Sequence, residues 1–191
     1  MGGKPRKRLP EELARGNWPI RGLDGHAPRE SDGFQRPGPH AKRGGKGHLG
    51  HDFMYRRSSK GSENLPEYTK WFFCPSGRAQ AVAPIAGVVG AVRKSKKQGW
   101  WVEVKHGQYM SVFRHLATVN VSRGDVVSAG ELIGIISHAP KAGKRGINHL
   151  HWELWDLDRP GPRRRAYKII NAKPFLRRWV KLPELLTNAC V

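Results

Sequence analysis

Asn148-His149-Leu150-His151-Trp152-Glu153-Leu154 is the stretch from which the rest of the chain can be read. Successive side chains of a strand point to opposite faces. Leu150, Trp152 and Leu154 then form an apolar core face, and His149, His151 and Glu153 line the other. The second face presents two imidazoles side by side, roughly 7 Å apart at the Cα by strand rise. Histidines at i and i+2 can bind one zinc, or one can bind while the other sits over the metal-bound water. A polar sheet face with two incidental histidines is the plainer alternative.

The preceding text has the same texture. Ala81 to Val92 is β-branched and punctuated by glycine, as a bent strand pair would be. Trp101-Val102-Glu103-Val104-Lys105 alternates, His106-Gly107-Gln108 turns, and Tyr109 to His115 returns as a hairpin partner. Val121–Gly130 and Glu131–Ser137 supply further short strands. Strands at this spacing, separated by glycine turns, predict a mainly β domain with an antiparallel sheet. Pro174, Phe175, Leu176, Trp179 and Val180 fit a short helix near the end, and a first short helix is expected over Pro10–Ala14. Residues 1–44 otherwise hold many Gly and Pro without a sustained period, and read as an extended basic arm.

The 191 residues carry 35 Lys+Arg against 15 Asp+Glu, a formal charge of +20. A net +6 falls before His48 and +14 after it, so the charge is not confined to the arm. Such a balance points to a polyanionic partner: nucleic acid, acidic lipid or an anionic wall polymer. No apolar run approaches the roughly 18 residues of a membrane span, and Met1 to Arg8 leads into no apolar signal-peptide core. Only Cys74 and Cys190 are present, too few for a four-cysteine zinc site or a disulfide framework. A metal would therefore rest on His and Asp.

Two further clusters supply them. In Gly47-His48-Leu49-Gly50-His51-Asp52, a His and an Asp four apart can converge on one ion, with Gly50 permitting a tight bend. His51 would then point elsewhere, to the surface or behind the ligands. Phe113-Arg114-His115-Leu116 ends the return strand of the hairpin, where a side chain can lean over a groove. Each cluster has a bland reading, a glycine-rich loop and a half-buried strand histidine.

Taken in order, His48-x-x-x-Asp52, Phe113-Arg114-His115-Leu116 and His149-x-His151 resemble the lysostaphin/LytM-type zinc metallopeptidases that cut peptidoglycan peptides. Ala83 to Val89, Val121 to Gly134 and Asn171-Ala172-Lys173-Pro174 agree with that pattern, and the resemblance covers about residues 45–178. It implies a peptidase domain over 45–178 with a long groove, flanked by the 1–44 arm and a 179–191 tail. It implies one zinc held by His48, Asp52 and His151, with His115 and His149 flanking the water as catalytic residues. Which imidazole acts as general base stays open. His106 lies where family members often carry a turn histidine, and no catalytic role is assigned to it. His26, His40 and His138 match no motif and are expected to be exposed.

Two departures from the family pattern stand out. Thirty residues separate Asp52 from Ala83, including Arg56 to Ser62 and Trp71-Phe72-Phe73-Cys74, and are expected to form a groove wall or docking surface. An export signal is also missing, although the substrate that the resemblance implies lies outside the cytoplasm. The expectation is a phage-encoded endopeptidase acting on the cell wall, as a virion component or released at lysis, with other virion proteins as partners of the arm. Two alternatives are carried: a non-catalytic wall-binding or virion scaffold on the same fold, and a basic nucleic-acid-binding protein.

Overall fold

Short β-branched segments separated by glycine turns form one antiparallel sheet in the computed structural model, which describes residues 10–23, 28–38, 47–56, 71–72, 78–96, 99–136, 149–159 and 168–183. Its strands are β1 (Pro28–Asp32), β2 (His51–Arg56), β3 (Trp71–Phe72), β4 (Gln80–Val82), β5 (Gly87–Ser95), β6 (Gly99–His106), β7 (Tyr109–Val119), β8 (Val126–Val127), β9 (Leu132–Ile136), β10 (Leu150–Asp156) and β11 (Lys168–Ile170). The main path runs β1-β2-β10-β7-β6-β5-β8. A 3₁₀ turn (Glu11–Leu13) and helix α1 (Lys173–Leu176) are the helical elements among the described residues. The mainly β class expected from the sequence is the class observed.

The β6–β7 hairpin turns at Gly107, whose φ of +60° suits a residue without a Cβ. The expected pair within Ala81–Val92 separates instead: β4 joins β9, while β5 joins β6 and β8. One face of the sheet carries the core, including Phe53, Val102, Val104, Phe113, Leu150, Trp152 and Leu154. The opposite face carries Asp52, Arg114, His151 and Glu153.

β7 does more than complete a hairpin. Residues Tyr109–Arg114 pair with β10 on one edge, and from Leu116 that edge is taken over by β9. His115 lies at the handover and has φ +65°, the one non-glycine residue in the left-handed region among those described. The twist lets Phe113 and Leu116 both enter the core, with Arg114 and His115 between them left partly exposed.

The segment read as an arm is not a detached appendage where it is described. Leu13, Trp18, Ile20 and Leu23 are buried in the core, and β1 pairs with β2. Trp18 donates its indole N–H to the Leu176 carbonyl at 2.8 Å, and Trp179 donates its own to Leu13 at 3.0 Å. Composition hid this because a few large apolar side chains suffice to anchor a Gly/Pro-rich strap, each contributing about 1.5–3 kcal/mol when fully buried. Trp179, assigned from the sequence to a tail, belongs to the same clasp. His26, His40, His138, both cysteines and most of the 53–82 insert (57–70 and 73–77) lie outside the described residues.

Candidate metal centre

Strand register brings the first two candidate ligands together. Asp52 on β2 stands directly opposite His151 on β10, so both side chains leave the sheet on one face. His48 precedes β2 and is bridged through its backbone to Gln35. His48 Nε2 lies 3.2 Å from Asp52 Oδ1 and 3.2 Å from His151 Nδ1, and His151 Nδ1 lies 2.8 Å from Asp52 Oδ1. The three residues offer ligand atoms that all lie within 4.8 Å of one another.

The outer contacts decide what those atoms present. His48 Nδ1 is 3.0 Å from the Gly33 carbonyl, which can only accept, so Nδ1 carries the proton. His151 Nε2 is 3.0 Å from Glu153 Oε1, and the same reasoning puts a proton there. In the neutral rings, His48 Nε2 and His151 Nδ1 are then bare lone pairs facing a carboxylate oxygen. Three acceptors facing one another fit a cation between them. Without one, a proton serves. Burial works against charge on His151, but hydrogen bonds to Asp52 and Glu153 prevail and raise its pKa to about 9. Burial likewise opposes ionisation of Asp52, yet the hydrogen bond from protonated His151 holds its carboxyl well below the usual range.

Gly50 matters here for space rather than for its dihedral angles. A Cβ at that position would sit 2.6 Å from the His151 ring. The bend expected at Gly50 is thus a site where an imidazole occupies the room a side chain would need.

His115 and His149 complete the cluster. Their ring centroids are 4.9 Å apart, and the His115 ring is 6.0 Å from that of His151. His149 Nε2 is 3.7 Å from Asp52 Oδ1. All five sequence-selected residues therefore meet on one face. His51 does not join them, nor is it on the surface. Alternation along β2 turns it to the core face, fully buried beside Phe53 and Trp152. Its Nδ1 donates to Glu30 at 2.5 Å, and its Nε2 accepts the Ala172 backbone N–H at 3.1 Å.

Sequence reasoning assigned no role to Glu153 or Arg114. Glu153 is buried and receives His151, Arg114 Nε at 3.2 Å and the Trp155 indole N–H at 2.7 Å. Burial raises the carboxyl pKa, but these donors win and bring it to about 2. The alternation that put Glu153 on the face of His151 was its available signal; Arg114 gave none.

Residues 70–162 match the pattern of Peptidase family M23. That match, over just under half of the chain, makes this segment similar to the M23 peptidases. The matched segment holds His115, His149 and His151, and the fold supplies His48 and Asp52 from outside it. The fold is also similar to that of three solved structures. One, assigned to peptidase M23 from Pseudomonas aeruginosa, is 21% identical with TM-score 0.50, covering 88% of this chain and 52% of that one. A zinc-containing peptidase from Vibrio cholerae is 19% identical with TM-score 0.53, covering 89% and 41%. The catalytic domain of the antimicrobial peptidase lysostaphin from Staphylococcus simulans is 17% identical with TM-score 0.51, covering 78% and 92%. The chain thus spans about half the length of the first structure and less of the second. No curated protein gives a significant match.

Proposed function

We propose that this chain is a zinc-dependent endopeptidase that hydrolyses peptide bonds in peptidoglycan stems or cross-bridges. The observation that carries it is the inward-facing His48–Asp52–His151 donor set with two further imidazoles against it. The M23 pattern supports the reaction class, and the likeness to the lysostaphin catalytic domain supports the fold on which it would run.

His48, Asp52 and His151 would hold the zinc, three protein ligands with a position left for water. When bound, the metal supplies Lewis acidity and a water acidic enough to ionise near neutral pH. The chain's own part is to place protons. His115 and His149 would orient the attacking water, take its proton, donate one to the leaving amine, and hydrogen-bond the carbonyl oxygen as it gains charge. The strongly cationic chain suits an anionic wall, where long-range attraction raises encounter rates.

The test is mass analysis of purified cell wall after incubation with zinc-replete protein. New amino and carboxyl termini are expected, absent with a chelator and with His151→Ala. Intact wall in the presence of zinc-loaded, folded protein would overturn the reading. Salt-sensitive DNA binding alongside that result would favour the nucleic-acid alternative.

A further inference from the structure

The buried carboxylate behind the ligand set has a geometry of its own. Glu153 lies two residues beyond His151 on β10, on the same face, and its Oε1 faces the ring nitrogen that points away from Asp52. Three donors from three side chains converge on it: His151 Nε2 and Arg114 Nε at Oε1, and Trp155 Nε1 at Oε2. Arg114 is fixed in turn, its guanidinium 5.2 Å from the centre of the Trp101 ring, a cation–π distance. A carboxylate held this way has little freedom to swing from His151.

The choice it imposes is chemical. A neutral imidazole carries one N–H, and either nitrogen can bear it. If Nδ1 bore it, His151 would meet Asp52 and His48 with a donor and have its lone pair on Nε2, turned away from them. With Nε2–H donated to Glu153, the lone pair stays on Nδ1, the atom 2.8 Å from Asp52.

We propose that Glu153 is the positioning residue of His151, clamped by Arg114 and Trp155 so that the ring keeps its proton on Nε2 and turns Nδ1 to the metal. The inference rests on the zinc reading above. Arg114 pairs across the strands with His151 and immediately precedes His115, so the same clamp ties the ligand strand to the strand carrying a flanking imidazole.

The test uses the full-length protein, stripped of metal and titrated with zinc against a chromophoric chelator, and separately loaded with cobalt(II) for its visible spectrum. Glu153→Gln keeps size and removes charge; it should weaken zinc binding about 10–100-fold and alter the cobalt bands. Glu153→Asp keeps the charge but is one methylene short. It should stay weakened, because a hydrogen bond and not a distant charge is at work. Trp155→Phe removes one donor from the carboxylate and should give a smaller loss in the same direction. Wild-type affinity and spectrum in Glu153→Gln, or full restoration by Glu153→Asp, would overturn the proposal while leaving the zinc site standing. A wild-type protein that binds no zinc would overturn both. If Glu153→Gln fails to fold, Glu153→Asp and Trp155→Phe decide.

Discussion

His115 is held with φ +65°, a conformation that costs an L-residue about 1–2 kcal/mol and persists where the surroundings over-determine it. Glycine there would relieve the strain, whereas alanine would keep it. His115→Gly should therefore be more stable than His115→Ala by about 1 kcal/mol, read from denaturant midpoints at constant m. Both should lose turnover alike; equal midpoints would mean the twist is not imposed at this residue. The HxH pair gives a second contrast. His149→Ala is expected to keep its zinc and lose about a hundredfold or more in wall cleavage, whereas His151→Ala loses the metal. The losses from His149→Ala and His115→Ala should not multiply fully if both act on one transition state. Zinc stoichiometry and cleavage rate on the same preparations decide it, and a zinc-free His149→Ala would make His149 a ligand. At this scale the sequence was most informative where one rule applied. Alternation alone placed His149, His151 and Glu153 together, but the same rule would send His115 to the face of Phe113. Only the left-handed twist brings it to the site, and Phe113-Arg114-His115-Leu116 contains no glycine or proline to announce it.

Elements position these residues through contacts that residue patterns do not reveal. The β6–β7 hairpin was legible because its turn and both alternations fall within one short stretch. The handover of the β7 edge from β10 to β9 was not, since it joins segments far apart in the chain. His106, at the end of β6, belongs to this level. It is buried, with Nδ1–H donated to the Ala86 carbonyl at 2.9 Å and Nε2 accepting from the Ser111 hydroxyl at 2.9 Å. Burial lowers its pKa, and the bond to Ala86 only partly offsets this. A histidine with a depressed folded pKa takes up its proton first in the unfolded chain. Its effect is absent well above the unfolded value of about 6.5, and stability is lost as pH falls from there toward the folded pKa. Between pH 7 and 5.5, unfolding free energy should fall more steeply in wild type than in His106→Gln, by a slope difference of less than one proton. Parallel curves would show that His106 titrates as it does in the unfolded chain.

Across the whole molecule, the early segment and the late one are joined. Leu13, Trp18 and Ile20 fill the core beside Phe175, Leu176 and Trp179, and Asn17 bridges Val180. Removing residues 1–23 strips several buried side chains, each worth about 2–5 kcal/mol on large-to-small substitution, against a total stability of about 5–15 kcal/mol. That deletion should leave the protein unfolded or insoluble. A cooperative thermal transition within a few degrees of wild type would show that the strap is dispensable. Composition could not foretell this, because the strap's polar, glycine-rich majority obscures the three or four residues that bind it. The bond from Trp179 to Leu13 spans 166 positions. During synthesis, residues 13–20 leave the ribosome well before Phe175, Leu176 and Trp179, which form part of the surface that receives them. The clasp can close only after Trp179 has been made, so the fold cannot be completed stepwise from residues 13–20, and until then their apolar side chains are open to aggregation.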